Sequence, residues 1–160
     1  MKVAIGQDSH RFDFNNTTKK LLLGGVEIPN HAPLLGNSDA DVILHSITNA
    51  ISGITCVNIL GPIADDMCQS GITDSSKYLS CALSYLDPSY FISHLSISIE
   101  CKTPKLTPYI EDIRNNLSLL LNIPTSSIGI TATSGEELTY FGQGLGIQVF
   151  SCITVCQRPT

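Results

Sequence analysis

The stretch Asn37-Ser38-Asp39-Ala40-Asp41-Val42-Ile43-Leu44-His45 decides how the rest of the chain is read. Ser38 and Asp41 stand at the spacing of a capping box, in which a hydroxyl accepts from a first-turn amide and the acid three residues on answers the cap's own amide. Asp39 and Asp41 suit the positive end of a helix dipole. A helix is expected from about Asp39 to Ile54, offering Val42, Ile43, Ala50 and Ile51 to a core. Asp41 and His45 are four apart and share a face of that helix. Alone, the stretch describes an ordinary capped helix with one satisfied histidine.

A second group lies near the N-terminus. Lys2 to Gly6 read as a strand, followed by Gln7-Asp8-Ser9-His10-Arg11-Phe12. Asp8 and His10 are two apart, so on an extended chain they point to the same side. With His45 they form a donor set suited to a divalent metal, zinc above all. Three protein ligands leave a fourth position for substrate, which is the catalytic pattern.

Composition bounds the function classes. The 160 residues make one domain over 1–160, with room for a core. Hydrophobic residues are 42% and charged ones 14%, so the chain is globular, and its sparse charge hints at surface buried against other subunits. A net charge of −5 with no Lys/Arg run favours neither nucleic acid nor an anionic membrane. No apolar run has transmembrane length and no signal-peptide core is present. The expected location is the cytoplasm, or an organelle stroma if a longer precursor exists. Cys56, Cys68, Cys81, Cys101, Cys152 and Cys156 form no Cys-x-x-Cys pair and read as small buried thiols in a reducing compartment. His31 and His94 read as structural or surface residues.

The remaining pattern alternates. Leu21 to Ile28 is extended with a Gly-Gly break. Val57 to Gly71, holding Gly61-Pro62 and Asp65-Asp66, reads as a loop or short helical turn. Thr73 or Asp74 can cap a helix through Leu86. Phe91 to Cys101 is a strand, with Leu95, Ile97 and Ile99 on one side and Ser96 and Ser98 on the other. Pro108 to Leu121 is a helix with proline in its first turn. Ser127 to Thr133 and Gly146 to Cys156 are strands, separated by a Gly-rich polar loop. The class is α/β (α+β): a single-layer mixed or antiparallel sheet with about three helices on one face. The serine-rich outer alternation fits sheets packed around an oligomer axis.

Four blocks carry a resemblance. They are Gly6-Gln7-Asp8-Ser9-His10-Arg11-Phe12; Asn37-Ser38-Asp39-Ala40-Asp41-Val42 with His45; Thr103-Pro104-Lys105-Leu106; and Thr131-Ala132-Thr133-Ser134-Gly135-Glu136-Glu137-Leu138 with Gly142-Gln143-Gly144. In this order, over nearly the whole chain, they resemble the 2-C-methyl-D-erythritol 2,4-cyclodiphosphate synthase family. The resemblance implies a homotrimer with active sites between subunits. It implies a metal-dependent, CMP-releasing phosphorus–oxygen lyase of non-mevalonate isoprenoid biosynthesis, in which a 2-phosphate attacks the β-phosphate of 4-diphosphocytidyl-2-C-methyl-D-erythritol 2-phosphate. It further implies zinc at Asp8, His10 and His45, and magnesium or manganese between Glu136 and the diphosphate. Asn37 and Ser134 take catalytic positions. Substrate contacts are implied for Asp8, Ser9, His10, Asn37, Ser38, Asp41, Gly61, Pro104, Lys105, Thr133, Ser134, Gly135, Glu136, Tyr140 and Gln143.

Three departures stand out. Asn37 replaces the usual histidine and cannot carry positive charge. Ile59-Leu60-Gly61 lacks the usual acid before its glycine. Gln143 stands where many relatives place an arginine facing the trimer axis, so weak or absent binding of an isoprenoid diphosphate is expected there. A metal-dependent phosphohydrolase on the same ligands, and a trimeric binding module without activity, remain open as other readings.

Overall fold

The computed structural model describes residues 1–159. Among the described residues, six strands and four α-helices run in the order β1 (Lys2–Arg11), β2 (Leu21–Leu23), β3 (Val26–Ile28), α1 (Val42–Thr55), α2 (Pro62–Gln69), α3 (Ser75–Ser84), β4 (Tyr90–Glu100), α4 (Ile110–Leu121), β5 (Ile128–Thr133) and β6 (Gly146–Gln157). Four strands form one sheet in the order β1-β6-β4-β5. β6 is antiparallel to both its neighbours, while β4 and β5 are parallel. The sheet is therefore mixed, and β1 and β5 are its free edges.

Alternation explains the layering. Leu95, Ile97 and Ile99 of β4 and Ile147, Val149, Ile153 and Val155 of β6 are buried. They meet Ile43, Ile47, Ala50 and Ile51 of α1 in one apolar cluster. α1 lies across β1 and β6, α3 packs beside it, and α4 packs on β5. The other face of the sheet is exposed. Val3, Ile5 and Phe150 stand there at 56%, 69% and 45% exposure, among Gln7, Ser96 and Ser98. No helix among the described residues is long and apolar enough to cross a membrane.

Several boundaries differ from the sequence reading. β1 continues to Arg11, so Asp8 and His10 lie within it. The Gly24-Gly25 break is a hairpin turn between β2 and β3, with φ of 60° and 78°, the left-handed pair that a tight hairpin needs. A fourth helix, α2, of eight residues occupies the segment read as a loop or short helical turn; Pro62 sits at its start, where a missing amide costs nothing, and Asp65 lies in its first turn. α1 begins at Val42 and its cap is Asp41, not Ser38. The Ser38 hydroxyl accepts from Ala40 N at 3.1 Å instead. The Asp74 cap of α3 holds, accepting from Ser76 N, but the helix ends at Ser84. The six cysteines are free, yet only Cys101 is buried; Cys56 is exposed and the others are half-buried.

Candidate active site

Period two along β1 turns Ala4, Gly6, Asp8 and His10 toward α1 and Val3, Ile5, Gln7 and Ser9 toward the exposed face. Gly6 permits the crossing: a Cβ there would lie 2.0 Å from the Ser46 carbonyl oxygen and 2.2 Å from Ala50 N. The helix thus rests directly on the strand backbone, and His45, beside Ser46, comes over Asp8.

Asp41 orients the start of that helix. Its carboxylate is fully buried and accepts from Leu44 N at 3.0 Å, Gly24 N at 2.9 Å and Gly25 N at 2.7 Å. One acid therefore caps α1 and clamps the β2–β3 turn to it. Both oxygens are consumed in this role.

The three sequence-predicted ligands converge. Asp8 Oδ2 is 2.9 Å from His10 Nε2 and 3.1 Å from His45 Nδ1, and those two nitrogens are 3.3 Å apart. The remaining ring nitrogens are engaged outward: His10 Nδ1 donates to Leu35 O at 2.8 Å, and His45 Nε2 donates to Ser75 Oγ at 2.8 Å. A carbonyl only accepts, so the neutral His10 ring presents a lone pair at Nε2. Ser75 gives its own hydroxyl proton to Asp39, so His45 presents a lone pair at Nδ1. Two nitrogen lone pairs and a carboxylate oxygen facing one point repel each other unless a cation or a proton sits between them. The donor set is one that divalent zinc favours, and the group can hold a metal ion. Burial by itself would raise the Asp8 pKa, but the hydrogen bonds and charges of His10 and His45 bring it down to about 2. Burial would lower that of His10, but the hydrogen bond and charge of Asp8, together with the Leu35 carbonyl, raise it.

This cluster opens into a cavity of about 380 Å³ that also takes in Asn37, Ser38 and Gly61. Sequence reasoning missed Asp65 and Cys68, which reach the same cavity from α2; their spacing of three was a helical signal, hidden by reading Gly61-Pro62 as a break. Ser75 and Asp39 behind His45 were missed as well. A serine at a helix start reads as local capping.

Pro104, Lys105, Thr133 and Ser134 line a separate cavity of about 280 Å³. Gly135 and Glu136 follow directly, with Gly135 N donating to Thr133 Oγ1 at 3.3 Å and Glu136 N to Ser134 Oγ at 3.4 Å. Glu136 and Glu137 hold φ of 47° and 61°, a strained pairing for side-chain-bearing residues. The Lys102 ammonium, 2.9 Å from Glu137, holds that carboxyl below the usual range. Tyr140 is exposed, and Gln143 Nε2 donates to Glu137 O at 3.3 Å. Ser9 faces away from the ligand cluster, and Asp41 is buried under the hairpin.

Register relates the two cavities. Asp8 pairs with Val149, Val149 with Ile99, and Ile99 with Ala132. The ligand cluster and Thr133 thus occupy the same end of the sheet on opposite edges. Three strand spacings put them on the order of 14 Å apart.

The profile of the YgbB family matches residues 1–156. The chain belongs to the YgbB family. Relatives from Chlamydia trachomatis serovar D and Chlamydia caviae are each 46% identical over 157 residues, spanning 98% of this chain and 88% and 89% of theirs; both are 2-C-methyl-D-erythritol 2,4-cyclodiphosphate synthases. The chain is accordingly an enzyme. A Plasmodium falciparum IspF–CDP complex superposes with a TM-score of 0.82 at 28% identity, over 99% of this chain and 97% of that one. The bifunctional IspDF of Campylobacter jejuni gives 0.86 at 26% identity, covering 98% of this chain and 42% of that one.

Proposed function

We propose that the chain converts 4-diphosphocytidyl-2-C-methyl-D-erythritol 2-phosphate into 2-C-methyl-D-erythritol 2,4-cyclodiphosphate and CMP, the reaction of its synthase relatives in non-mevalonate isoprenoid biosynthesis. The observation that carries the reading is the convergence of Asp8, His10 and His45 with one side open to a cavity. An oxygen of the 2-phosphate forms a bond to the β-phosphorus. The bond from that phosphorus to the bridging oxygen breaks, and its electron pair leaves with CMP. Such a transfer asks the protein for positioning and charge neutralisation rather than a covalent nucleophile.

Asp8, His10 and His45 would hold zinc, which supplies Lewis-acid polarisation of a phosphate oxygen. Asn37 and Ser38, on the rim of that cavity, offer hydrogen bonds to the same phosphate. Lys105 and the Thr103–Pro104 loop receive the cytidine side, and Thr133 and Ser134 hydroxyls hold the diphosphate. Glu136 on its exposed loop offers a carboxylate to magnesium or manganese shared with diphosphate oxygens. Asp41 has no part in substrate contact here, since three backbone amides already use its oxygens.

The opposite-edge placement of the two cavities supports a homotrimer. The β1 edge of one copy would meet the β5 edge of the next, closing a ring of heterologous contacts. The exposed sheet face with Val3, Ile5 and Phe150 would then line the axis.

Purified protein is given the cytidylylated substrate and magnesium, with and without a zinc chelator. CMP release and the phosphorus NMR spectrum of the product are followed. Chelator-sensitive release with a cyclic diphosphate is expected. A linear phosphate product, or release indifferent to the chelator, refutes the reading.

A further inference from the structure

His45 is held from behind by a short chain of polar groups. Its Nε2 lies 2.8 Å from Ser75 Oγ. Ser75 is the first residue of α3 and is fully buried. Its hydroxyl donates to Asp39 Oδ1, and its backbone amide donates to Asp39 Oδ2 at 2.9 Å. Asp39 is fixed in turn: its Oδ1 accepts from Asp41 N at 3.1 Å, and its own amide donates to Thr73 O at 2.9 Å. Every direction in this chain is forced, because a carboxylate only accepts and a hydroxyl has one proton to give. With that proton committed to Asp39, Ser75 Oγ can only accept from His45.

We propose that Asp39 and Ser75 are positioning residues of the cation site, a carboxylate–hydroxyl relay that holds the His45 proton on Nε2 and turns the Nδ1 lone pair onto the ion. The inference rests on the reading of Asp8, His10 and His45 as a metal site. Its physical basis is that a metal-bound imidazole needs a fixed tautomer and ring angle, both set by the partner of the other ring nitrogen. Burial at Ser75 keeps water from substituting for the hydroxyl. The relay also joins the loop before α1, the His45 ring and the start of α3 through one chain of hydrogen bonds.

Asp39→Asn tests the polarity. All three groups facing its oxygens are donors, so an amide must turn its NH2 toward one of them. Placed at Ser75 Oγ, it donates to that oxygen and sends the serine proton to His45 Nε2, which reverses the relay and puts the imidazole proton on the nitrogen facing the ion.

Zinc affinity of the full-length protein is measured by competition with a chelating dye, for wild type, Ser75→Ala, Asp39→Asn and His45→Ala. Loss of roughly 10- to 100-fold in affinity is expected for Ser75→Ala and for Asp39→Asn, and no measurable site for His45→Ala. In the zinc-loaded wild type the His45 Nε2 proton gives a slowly exchanging imidazole resonance, and this resonance disappears in Ser75→Ala. A general loss of stability would not erase that one signal from a folded protein. If Ser75→Ala does not fold, Asp39→Asn decides by the same two readings. Affinity within twofold of wild type, or a retained His45 resonance, overturns the relay while a silent His45→Ala leaves the metal site standing. A wild type that binds no zinc overturns both.

Discussion

Gly6→Ala should damage the metal site from a position that touches no ligand. The added methyl would lie 2.0 Å from the Ser46 carbonyl oxygen, 2.2 Å from Ala50 N and 2.8 Å from the Asn49 carbonyl carbon, where ordinary contact begins near 3.4 Å. All three obstacles are backbone of α1, so no rotamer change relieves the overlap. Strand and helix must separate by about 1.4 Å, the difference between 3.4 and 2.0 Å. Zinc coordination tolerates about 0.2 Å, and His45 is carried by the displaced helix while Asp8 and His10 stay on the strand. Overpacking of this kind costs about 3 kcal/mol or more, which for a chain of this length lowers the melting temperature by roughly 6–12 °C. Metal-free protein is melted at matched concentration, and zinc affinity is titrated well below the transition. A loss of at least about tenfold in zinc affinity should accompany the lower melting temperature. An unchanged melting temperature, or full zinc affinity in a destabilised protein, would show that the β1–α1 approach does not set the spacing of the ligands.

Asp41 gives a pH signature. Burial pushes its carboxyl up to about 6 against the pull of the Leu44, Gly25 and Gly24 amides. The folded chain therefore holds this proton more tightly than the unfolded one, and stability falls as pH rises from about 4 to about 6, then levels off. Asp41→Asn should remove that slope in urea denaturation of metal-free protein. It should also cost about 1–3 kcal/mol, since an amide oxygen leaves at least one of the three buried amides without an acceptor; a slope equal to wild type contradicts the assignment. Mixing inactive His45→Ala and Lys105→Ala subunits tests the shared site: random trimers should recover about a quarter of wild-type CMP release if the two cavities of a site come from different copies, and none if they come from one. Glu136→Gln should raise the magnesium needed for half-maximal rate by roughly tenfold and leave zinc affinity unchanged; a matching loss of zinc would merge the two cation roles.

The Asp8–His10–His45 cluster was legible because local periodicity alone places its members. Asp8 and His10 obey strand alternation, and His45 lies one turn into a helix whose start is marked by acids. The strands were legible for the same reason: Leu95, Ile97 and Ile99 alternate with serines. What escaped depends on partners distant in sequence. Ser38 and Asp41 can each cap a helix, and nothing within the stretch chooses between them. The choice falls to Asp41 because Gly24 and Gly25, in a turn far upstream, present two more amides needing the same acceptor. Asp39 looked like dipole compensation, yet its partner is Ser75, thirty-six residues away. α2 was masked by Pro62, which ends a helix when met from within and starts one when met at the first position.

The two halves of the site are built to different standards of rigidity, and this follows from where each sits. Asp8, His10 and His45 stand on a strand and a helix whose backbones touch, with Asp41 and Ser75 buried and Asp39 half-buried behind them. Their geometry is set by core packing before any ligand arrives, as a metal requires. Ser134, Glu136 and Tyr140 stand on a loop at the far edge, where Glu136 and Glu137 carry left-handed φ angles and Tyr140 is 70% exposed. That loop is held by surface hydrogen bonds and the Lys102–Glu137 pair rather than by buried apolar packing. Substitutions in the β1–α1 half should therefore act through metal affinity and stability together. Those in the loop should act on nucleotide and magnesium with little change in melting temperature.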